Sequence, residues 1–192
     1  MNYLEIVGTF VGLIYLWLEY RASVYLWIAS IIMPLIYVFV YYDAGLYADL
    51  GINIYYILAS VYGLLCWQFK KTKKQDSTNE LAITHTPKQL YPQLFITSVI
   101  LIVAIALLLR EFTDSTVPWT DSFTTALSVV AMWMLAKKYV EQWLVWIIVD
   151  VVCCVLYVYK GLYFTSGLYA IYTLIAYFGY IKWKQLINVQ SC

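Results

Sequence analysis

One apolar stretch of the sequence carries the side chains best suited to bind a ligand. Trp143, Trp146, Asp150 and Tyr157 follow one another at intervals of three, four and seven residues. On an α-helix this spacing places all four on one face. Aromatic rings stack on flat ligands and attract cations, and a carboxylate adds a negative charge. The face is therefore suited to a flat or cationic ligand.

Asp150 is notable for its depth in this stretch. It lies nine residues from Glu141 and nine residues from Tyr159, so a helix here places the carboxylate near its middle. An ionisable group in the middle of a membrane helix is costly and marks a functional site by default. An aspartate that only bonds a neighbouring helix is the structural alternative.

A second face with polar and aromatic residues is predicted upstream. Asn53 and Tyr56 share one helical face with Ser60, Gly63 and Trp67. Small residues such as Ser60 and Gly63 let helices approach closely, and plain packing explains them well. For Asn53 and Tyr56, ligand contact and packing are equally good interpretations. The matching face near the end of the chain consists of Tyr169, Tyr172, Ala176, Gly179 and Trp183.

The two halves of the chain repeat each other at a shift of 116 residues, which carries Trp27 onto Trp143 and Gly63 onto Gly179. An internal repeat in an apolar chain is typical of membrane transporters, which bind substrate where the repeats meet. In the first copy Pro34 stands where the second has Asp150. Because proline frees a backbone carbonyl and permits a kink, we predict a hinge at Pro34. A proline without a moving role is the alternative.

The composition is that of a membrane protein. The 192 residues are 64% hydrophobic and 12% charged, whereas globular proteins carry roughly 25% charged residues. Breaks in the apolar pattern leave seven segments of the roughly 17–25 residues that a membrane-spanning helix needs. The predicted segments run near Tyr3–Tyr20, Val24–Tyr42, Tyr47–Phe69, Leu90–Leu109, Pro118–Ala136, Trp143–Tyr159 and Leu162–Leu186.

The predicted fold is an all-α membrane protein with seven transmembrane helices in two parallel repeats. A three-helix unit begins and ends on opposite sides of the membrane, so two units joined directly would be inverted. One extra helix restores the direction and gives a 3+1+3 arrangement. The linker is polar and is expected to be solvated, with His85 exposed in it. The predicted divisions are a first repeat over 1–70, a cytoplasmic linker over 71–89, helix four over 90–112 and a second repeat over 113–192.

The charged and metal-binding residue types orient the chain and exclude some partners. Of the 12 Lys and Arg residues, only Arg110 and Lys160 fall on the side opposite the linker. The positive-inside rule therefore places the linker and the C-terminus in the cytoplasm and the N-terminus outside. The net charge of +1, without a long basic block, argues against nucleic acid as a partner. One histidine and four cysteines without zinc-like spacing predict no metal and no cofactor.

The pattern Trp143-x-x-Trp146-x-x-x-Asp150, with the duplicated Gly-Leu-Tyr triplets, resembles the PnuC family of bacterial vitamin transporters. The resemblance covers nearly the whole chain. It implies a SWEET-like fold, often a homotrimer, in the bacterial inner membrane. It also implies facilitated diffusion of an unphosphorylated vitamin precursor, which phosphorylation in the cytoplasm then traps. The residues of segment three that are similar to the family's pattern are Asp49, Asn53, Tyr62, Gly63 and Trp67.

The resemblance also implies a substrate and the residues that contact it. Nicotinamide riboside carriers of the family have asparagine where this chain has Asp150, so the sequence slightly favours thiamine over nicotinamide riboside. Both carry a permanent positive charge on an aromatic ring, whereas riboflavin is neutral and gains less from a carboxylate. The predicted substrate-binding residues are Trp143, Trp146, Asp150, Asn53, Tyr56, Tyr157 and Glu141.

Other functions fit the sequence less well. A proton-coupled carrier stays open, because Asp150 could carry a proton. A retinal photoreceptor needs a lysine deep in its last helix, but Lys182 and Lys184 lie near the end of segment seven. An intramembrane aspartyl protease needs two membrane aspartates, and the sequence predicts only Asp150. Serine or metal chemistry needs a histidine close by, and the one histidine, His85, lies in the linker. A passive membrane scaffold is the remaining alternative, but it would explain neither the repeat nor the charge of Asp150.

Overall fold

The computed structural model describes residues 3–43, 47–69, 81–113 and 117–190. Outside the helices, these residues hold one isolated β-bridge, between Thr84 and Tyr139. Like the sequence prediction, the described chain has seven helices: α1 (Tyr3–Tyr20), α2 (Tyr25–Asp43), α3 (Tyr47–Phe69), α4 (Leu90–Phe112), α5 (Pro118–Ala136), α6 (Gln142–Tyr159) and α7 (Tyr163–Gln190).

Four of these helices are long and apolar enough to cross a membrane by length and composition. The apolar stretches are Leu50–Phe69, Leu90–Phe112, Gln142–Tyr159 and Tyr163–Val189. Shorter apolar stretches run through α1 and α2. The all-α class is therefore confirmed for the described residues, four helices are candidate membrane spans, and crossing by all seven stays a prediction.

The chain forms two compact units, Met1–Ala82 and Ile83–Cys192. In the first unit α2 packs against both α1 and α3. In the second, each of the helices α4 to α7 packs against the next one along the chain. Helix α4 therefore belongs to the second unit, whereas the sequence analysis set it apart from both repeats.

The turns that follow α1 and α5 have the same backbone geometry. Ala22 and Lys138 adopt positive φ angles of 52° and 54°. Their amides donate to the carbonyls of Glu19 at 2.9 Å and Leu135 at 2.8 Å. This is the Schellman ending of a helix, a position that glycine usually fills because a side chain costs about 1 kcal/mol there. Since the two residues are 116 positions apart, the sequence repeat is also a repeat of local structure.

A cation over a tryptophan ring accompanies each of these turns. The Arg21 guanidinium lies 4.9 Å from the Trp17 ring centroid, and the Lys137 ammonium lies 5.6 Å from the Trp133 ring centroid. These residues too are related by the shift of 116. Rings paired with basic side chains are typical of the membrane–water boundary.

The turn between α6 and α7 does use glycine. Gly161 has φ of 74°, and the amide of Leu162 donates to the Tyr157 carbonyl at 2.8 Å. The turn reverses the chain so that α7 returns along α6. These two helices carry the candidate site.

Candidate substrate site

Helices α6 and α7 are fixed to each other by a tryptophan seated on a glycine. A Cβ atom on Gly179 would lie 2.7 Å from the Trp143 ring. The same ring meets Trp183 edge-on, with the centroids 5.7 Å apart and an interplanar angle of 89°. Both tryptophans are fully buried. The glycine therefore lets the indole approach the α7 backbone and fixes the register of the two helices.

The first unit contains the same arrangement. The Trp27 ring lies against Gly63, where a Cβ atom would overlap it. Trp27 and Trp67 meet edge-on, with centroids 5.5 Å apart and an interplanar angle of 89°. We call each set a Trp-Gly-Trp triad. Because Trp27 does this in the copy where Pro34 stands in the place of Asp150, packing explains Trp143 as well, and its contact with substrate stays a prediction.

Asp150 is a buried carboxylate on the same helix as Trp143. It is only 6% exposed, and within the described part of the chain it makes no hydrogen bond or ion pair. Tyr169 and Tyr172 of α7 lie close enough to interact with it electrostatically. Burying a carboxylate without a partner costs several kcal/mol, so this site is suited to a ligand that compensates the charge.

Tyr169 and Tyr172, the two tyrosines near the carboxylate, belong to a row of tyrosine rings. Tyr157 and Tyr169 lie 5.2 Å apart between ring centroids and are tilted by 31°. Tyr169 and Tyr172 lie 5.5 Å apart and are tilted by 59°. The three rings form a continuous aromatic cluster from α6 to α7. Rings next to a carboxylate can hold a cationic aromatic group by stacking and cation–π attraction.

Trp146 adds a hydrogen-bond donor one turn before Asp150. Its indole N–H is buried and has no hydrogen-bond partner among the described residues. A buried donor without a partner is costly and calls for an acceptor. A donor and a carboxylate four residues apart can together orient a ligand with both a polar group and a positive charge.

The structure brings together only part of the predicted set. Trp146, Asp150 and Tyr157 lie on α6, and the last two of them lie near tyrosines of α7. Asn53 and Tyr56 lie on α3 in the first unit. Both are half-buried, and the Tyr56 carbonyl accepts a hydrogen bond from Ser60 at 2.7 Å. Their contact with substrate stays a prediction.

Tyr169 and Tyr172 are the residues missing from the predicted contacts. The spacing places both on the face of segment seven that matches the polar and aromatic face of segment three, but it assigns neither to the ligand. The signal was available in the repeat, because the shift of 116 carries Tyr56 onto Tyr172. Only the packing of α7 on α6 shows that this tyrosine lies beside Asp150.

Glu141 lies at the start of α6 but bonds in another direction. Its Oε2 accepts hydrogen bonds from the amide and the hydroxyl of Thr86, both at 2.8 Å. Its Oε1 lies 2.7 Å from Nδ1 of His85, which is exposed as predicted. Both carboxylate oxygens of Glu141 therefore already have partners within the protein. The contacts favour a structural role for Glu141, and its contact with substrate stays a prediction.

The segment that Glu141 holds is residues 83–86, here called the strap. The Thr84 amide donates to the Lys138 carbonyl at 3.1 Å, and the Val140 amide donates to the Thr84 carbonyl at 3.0 Å. Ile83 and Thr86 are buried, each only 4% exposed. The sequence predicts a solvated linker as far as residue 89. The structure differs here because two buried side chains and the Glu141 carboxylate dock the strap on the α5–α6 turn.

The Glu141 carboxylate is held in its charged form. Burial by itself raises the pKa of this carboxyl, but the hydrogen bonds from His85 and Thr86 outweigh burial, so the pKa lies below its ordinary value. A lowered pKa means that the contribution to stability is complete above the ordinary carboxyl range. It is lost only as the pH falls through the lowered pKa. At neutral pH the strap is therefore fully held.

Comparison with known proteins agrees with a vitamin transporter. A family model described as "Nicotinamide mononucleotide transporter" matches residues 2–185. The nicotinamide riboside transporter PnuC of Escherichia coli is 27% identical over 205 residues, which cover 95% of this chain and 85% of that protein. The riboflavin/roseoflavin transporter RibM of Streptomyces davaonensis is 26% identical over 180 residues, covering 93% and 83%. The crystal structure of a vitamin B3 transporter PnuC shares the fold, with a TM-score of 0.71 at 21% identity over 95% of this chain and 80% of that one.

Proposed function

Because the chain belongs to the nicotinamide mononucleotide transporter family, we propose that this membrane transporter carries a vitamin precursor with a positively charged aromatic ring. The observation that supports this substrate class is Asp150, a buried carboxylate beside Tyr169 and Tyr172 that has no hydrogen-bond or ion-pair partner among the described residues. Because the family is one of transporters, the protein is not an enzyme.

Nicotinamide riboside is the first candidate substrate. A relative named for this molecule is similar along 95% of the chain, whereas the preference for thiamine finds no support among the relatives. Thiamine is second, because it offers the same permanent charge to the carboxylate. Riboflavin, named in another relative, is neutral and would leave Asp150 uncompensated.

The test is a side-by-side measurement of binding and uptake. Purified protein is titrated with nicotinamide riboside, thiamine and riboflavin by calorimetry, and the same three are offered to proteoliposomes. We expect nicotinamide riboside to bind most tightly. Tighter binding of riboflavin than of either cation would overturn the charge argument while leaving a vitamin transporter in place.

The proposed mode of transport is facilitated diffusion. A proton-coupled carrier is the alternative, because a membrane carboxylate can also move protons. Uptake into proteoliposomes with and without an imposed pH gradient separates the two. Equal initial rates support facilitated diffusion, and acceleration by a gradient supports proton coupling through Asp150.

The proposed location is the bacterial inner membrane, with the N-terminus outside and the linker in the cytoplasm. The basic residues of the linker support this orientation. A cysteine at position 77 (Ser77→Cys), in a background without the natural cysteines, should react with an impermeant reagent only after cells are opened. The linker lies outside the described residues at this position. Labelling of intact cells would reverse the orientation.

The proposed architecture is the parallel 3+1+3 arrangement, and the proposed assembly is a homotrimer. The duplicated turns and the two Trp-Gly-Trp triads support the repeat. The homotrimer rests on the resemblance alone. The mass of the purified protein, measured with its detergent subtracted, checks the assembly.

Pro34 lies inside α2 and is the proposed hinge. Pro34→Ala restores a backbone N–H and stiffens the helix. We expect the maximal uptake rate to fall by about threefold or more, because a conformational step limits many such cycles. Equilibrium binding, measured by calorimetry, should stay nearly unchanged. An unchanged uptake rate would leave Pro34 as a packing residue.

A further inference from the structure

In the part of the chain that the structure describes, a strap docks on the turn after α5 but not on the equivalent turn after α1. The turns after α1 and α5 share their backbone geometry, yet the counterpart of Glu141 in the first copy is Tyr25, which is 65% exposed. A tyrosine that points away from the protein cannot supply the two acceptor oxygens that Glu141 gives to His85 and Thr86. The strap is thus an addition to the second unit rather than part of the repeated fold.

The strap is not needed to hold α6 against α7. The triad of Trp143, Gly179 and Trp183 already fixes those two helices, and Asp150 lies further along the same pair. What the strap adds is a bond between the start of α6 and the segment that leads into α4. It joins one pair of helices to a third helix through a few hydrogen bonds.

The bonds of the strap are strong and localised. One carboxylate accepts two hydrogen bonds from Thr86 at 2.8 Å and contacts His85 at 2.7 Å. The Glu141 side chain is 14% exposed, so water competes with these bonds only in part. Hydrogen bonds to a charged group are roughly twice as strong as neutral ones. Glu141 therefore holds His85 and Thr86, beside the two backbone hydrogen bonds of Thr84 that also dock the strap.

We propose that Glu141 is a positioning residue for transport, which makes the α6–α7 pair move together with the segment that leads into α4. This inference rests on the proposed function, because it concerns the shape change that carries substrate across. A transporter alternates between conformations, and its helices must move as defined groups. Without the strap, α6 and α7 keep their site and their packing on α5, but the start of α6 loses its hydrogen bonds to the segment that leads into α4.

The test compares uptake rate with affinity in the full-length protein. For Glu141→Ala we expect the maximal rate of nicotinamide riboside uptake to fall about tenfold, the lower end of what hydrogen bonds to a charged group contribute. The dissociation constant should change less than about twofold, because the α6–α7 site is intact. Glu141→Gln keeps an oxygen for Thr86 and should lose less. Tyr25→Ala is the matched control in the first unit and should transport normally.

Hydrogen exchange provides a second measurement that does not depend on the substrate. The amide of Thr86 should be protected in the wild-type protein and exchange faster in Glu141→Ala. Thr86→Val, which removes only the hydroxyl, covers the case in which Glu141→Ala fails to fold. It should show an intermediate loss of uptake rate.

Two results would overturn the proposal. One is a normal uptake rate in Glu141→Ala although the Thr86 amide exchanges rapidly. The other is an equal loss of affinity and rate, because that result would place Glu141 in the binding site. A failure of the proposed function looks different, since the wild-type protein would then transport none of the three vitamins while the Thr86 amide stayed protected.

Discussion

Removing the carboxylate of Asp150 is expected to weaken the binding of a cationic vitamin by roughly 1–3 kcal/mol, the scale of hydrogen bonds to a charged group. This corresponds to roughly 5- to 150-fold in the dissociation constant. Asp150→Ala should have this effect on both nicotinamide riboside and thiamine. The reason is that the buried carboxylate has no other group to compensate its charge within the described residues. Calorimetric titration of the purified variant measures the change.

Asp150→Asn separates the charge from the shape of the side chain. Thiamine should lose as much affinity as in Asp150→Ala. Nicotinamide riboside should lose less, because the resemblance implies an asparagine at this position in its carriers. Val155→Ala is the control on the same helix, since Val155 is 66% exposed and lies away from the site. If Trp146→Ala abolishes binding while Asp150→Ala leaves it intact, stacking alone makes the site and the charge argument is wrong.

The second large effect concerns stability. Gly179→Ala would place a methyl group against the buried Trp143 ring, with its Cβ 2.7 Å from the nearest ring carbon. A rigid indole held between Gly179 and Trp183 of α7 cannot turn aside, so we expect a loss of about 1–3 kcal/mol, as for other overpacked cores. The unfolding midpoint in detergent, followed by tryptophan fluorescence, should fall. Trp143→Phe, combined with Gly179→Ala, should recover part of the loss because the smaller ring leaves room.

A control substitution on the same helix should change the stability in the opposite direction. Gly167 also lies in α7, but a Cβ atom there meets nothing within 4 Å. Gly167→Ala should therefore stabilise the protein by about 0.5–1 kcal/mol, because alanine favours a helix over glycine. In α3 the pair Gly63→Ala and Gly51→Ala should behave in the same way. Equal effects of the two substitutions in either helix would show that the triad does not constrain the packing.

The helices could be predicted well from the sequence, but the polar ends of α4 and α7 could not. The bounds of α1, α3 and α5 agree with the apolar segments residue for residue. Helix α4 continues to Phe112 and α7 to Gln190, beyond the predicted Leu109 and Leu186. Apolar length reports how much of a helix fits in hydrocarbon. Backbone hydrogen bonds continue past that limit, so the helix is longer than its apolar part.

The candidate site could be predicted as a helix face but not as a set of contacts. Spacing alone placed Trp146, Asp150 and Tyr157 together, because one helix determines their relative direction. It could not separate Trp143 from them, since only the position of Gly179 on another helix shows which way that ring packs. Glu141 is the clearest case. Its partner Thr86 is 55 residues away in the chain, and no local pattern connects the two.

The docked strap also determines where this polypeptide can be divided into two genes. A break at the start of α4 would look natural from the apolar pattern, but it would leave His85 and Thr86 on the wrong fragment. The second fragment would then contain the Glu141 carboxylate without the groups that donate hydrogen bonds to it. A break ahead of Ile83 keeps all these bonds within one translation product. Co-expression of two such halves should therefore restore the full uptake rate only when the second half begins upstream of the strap.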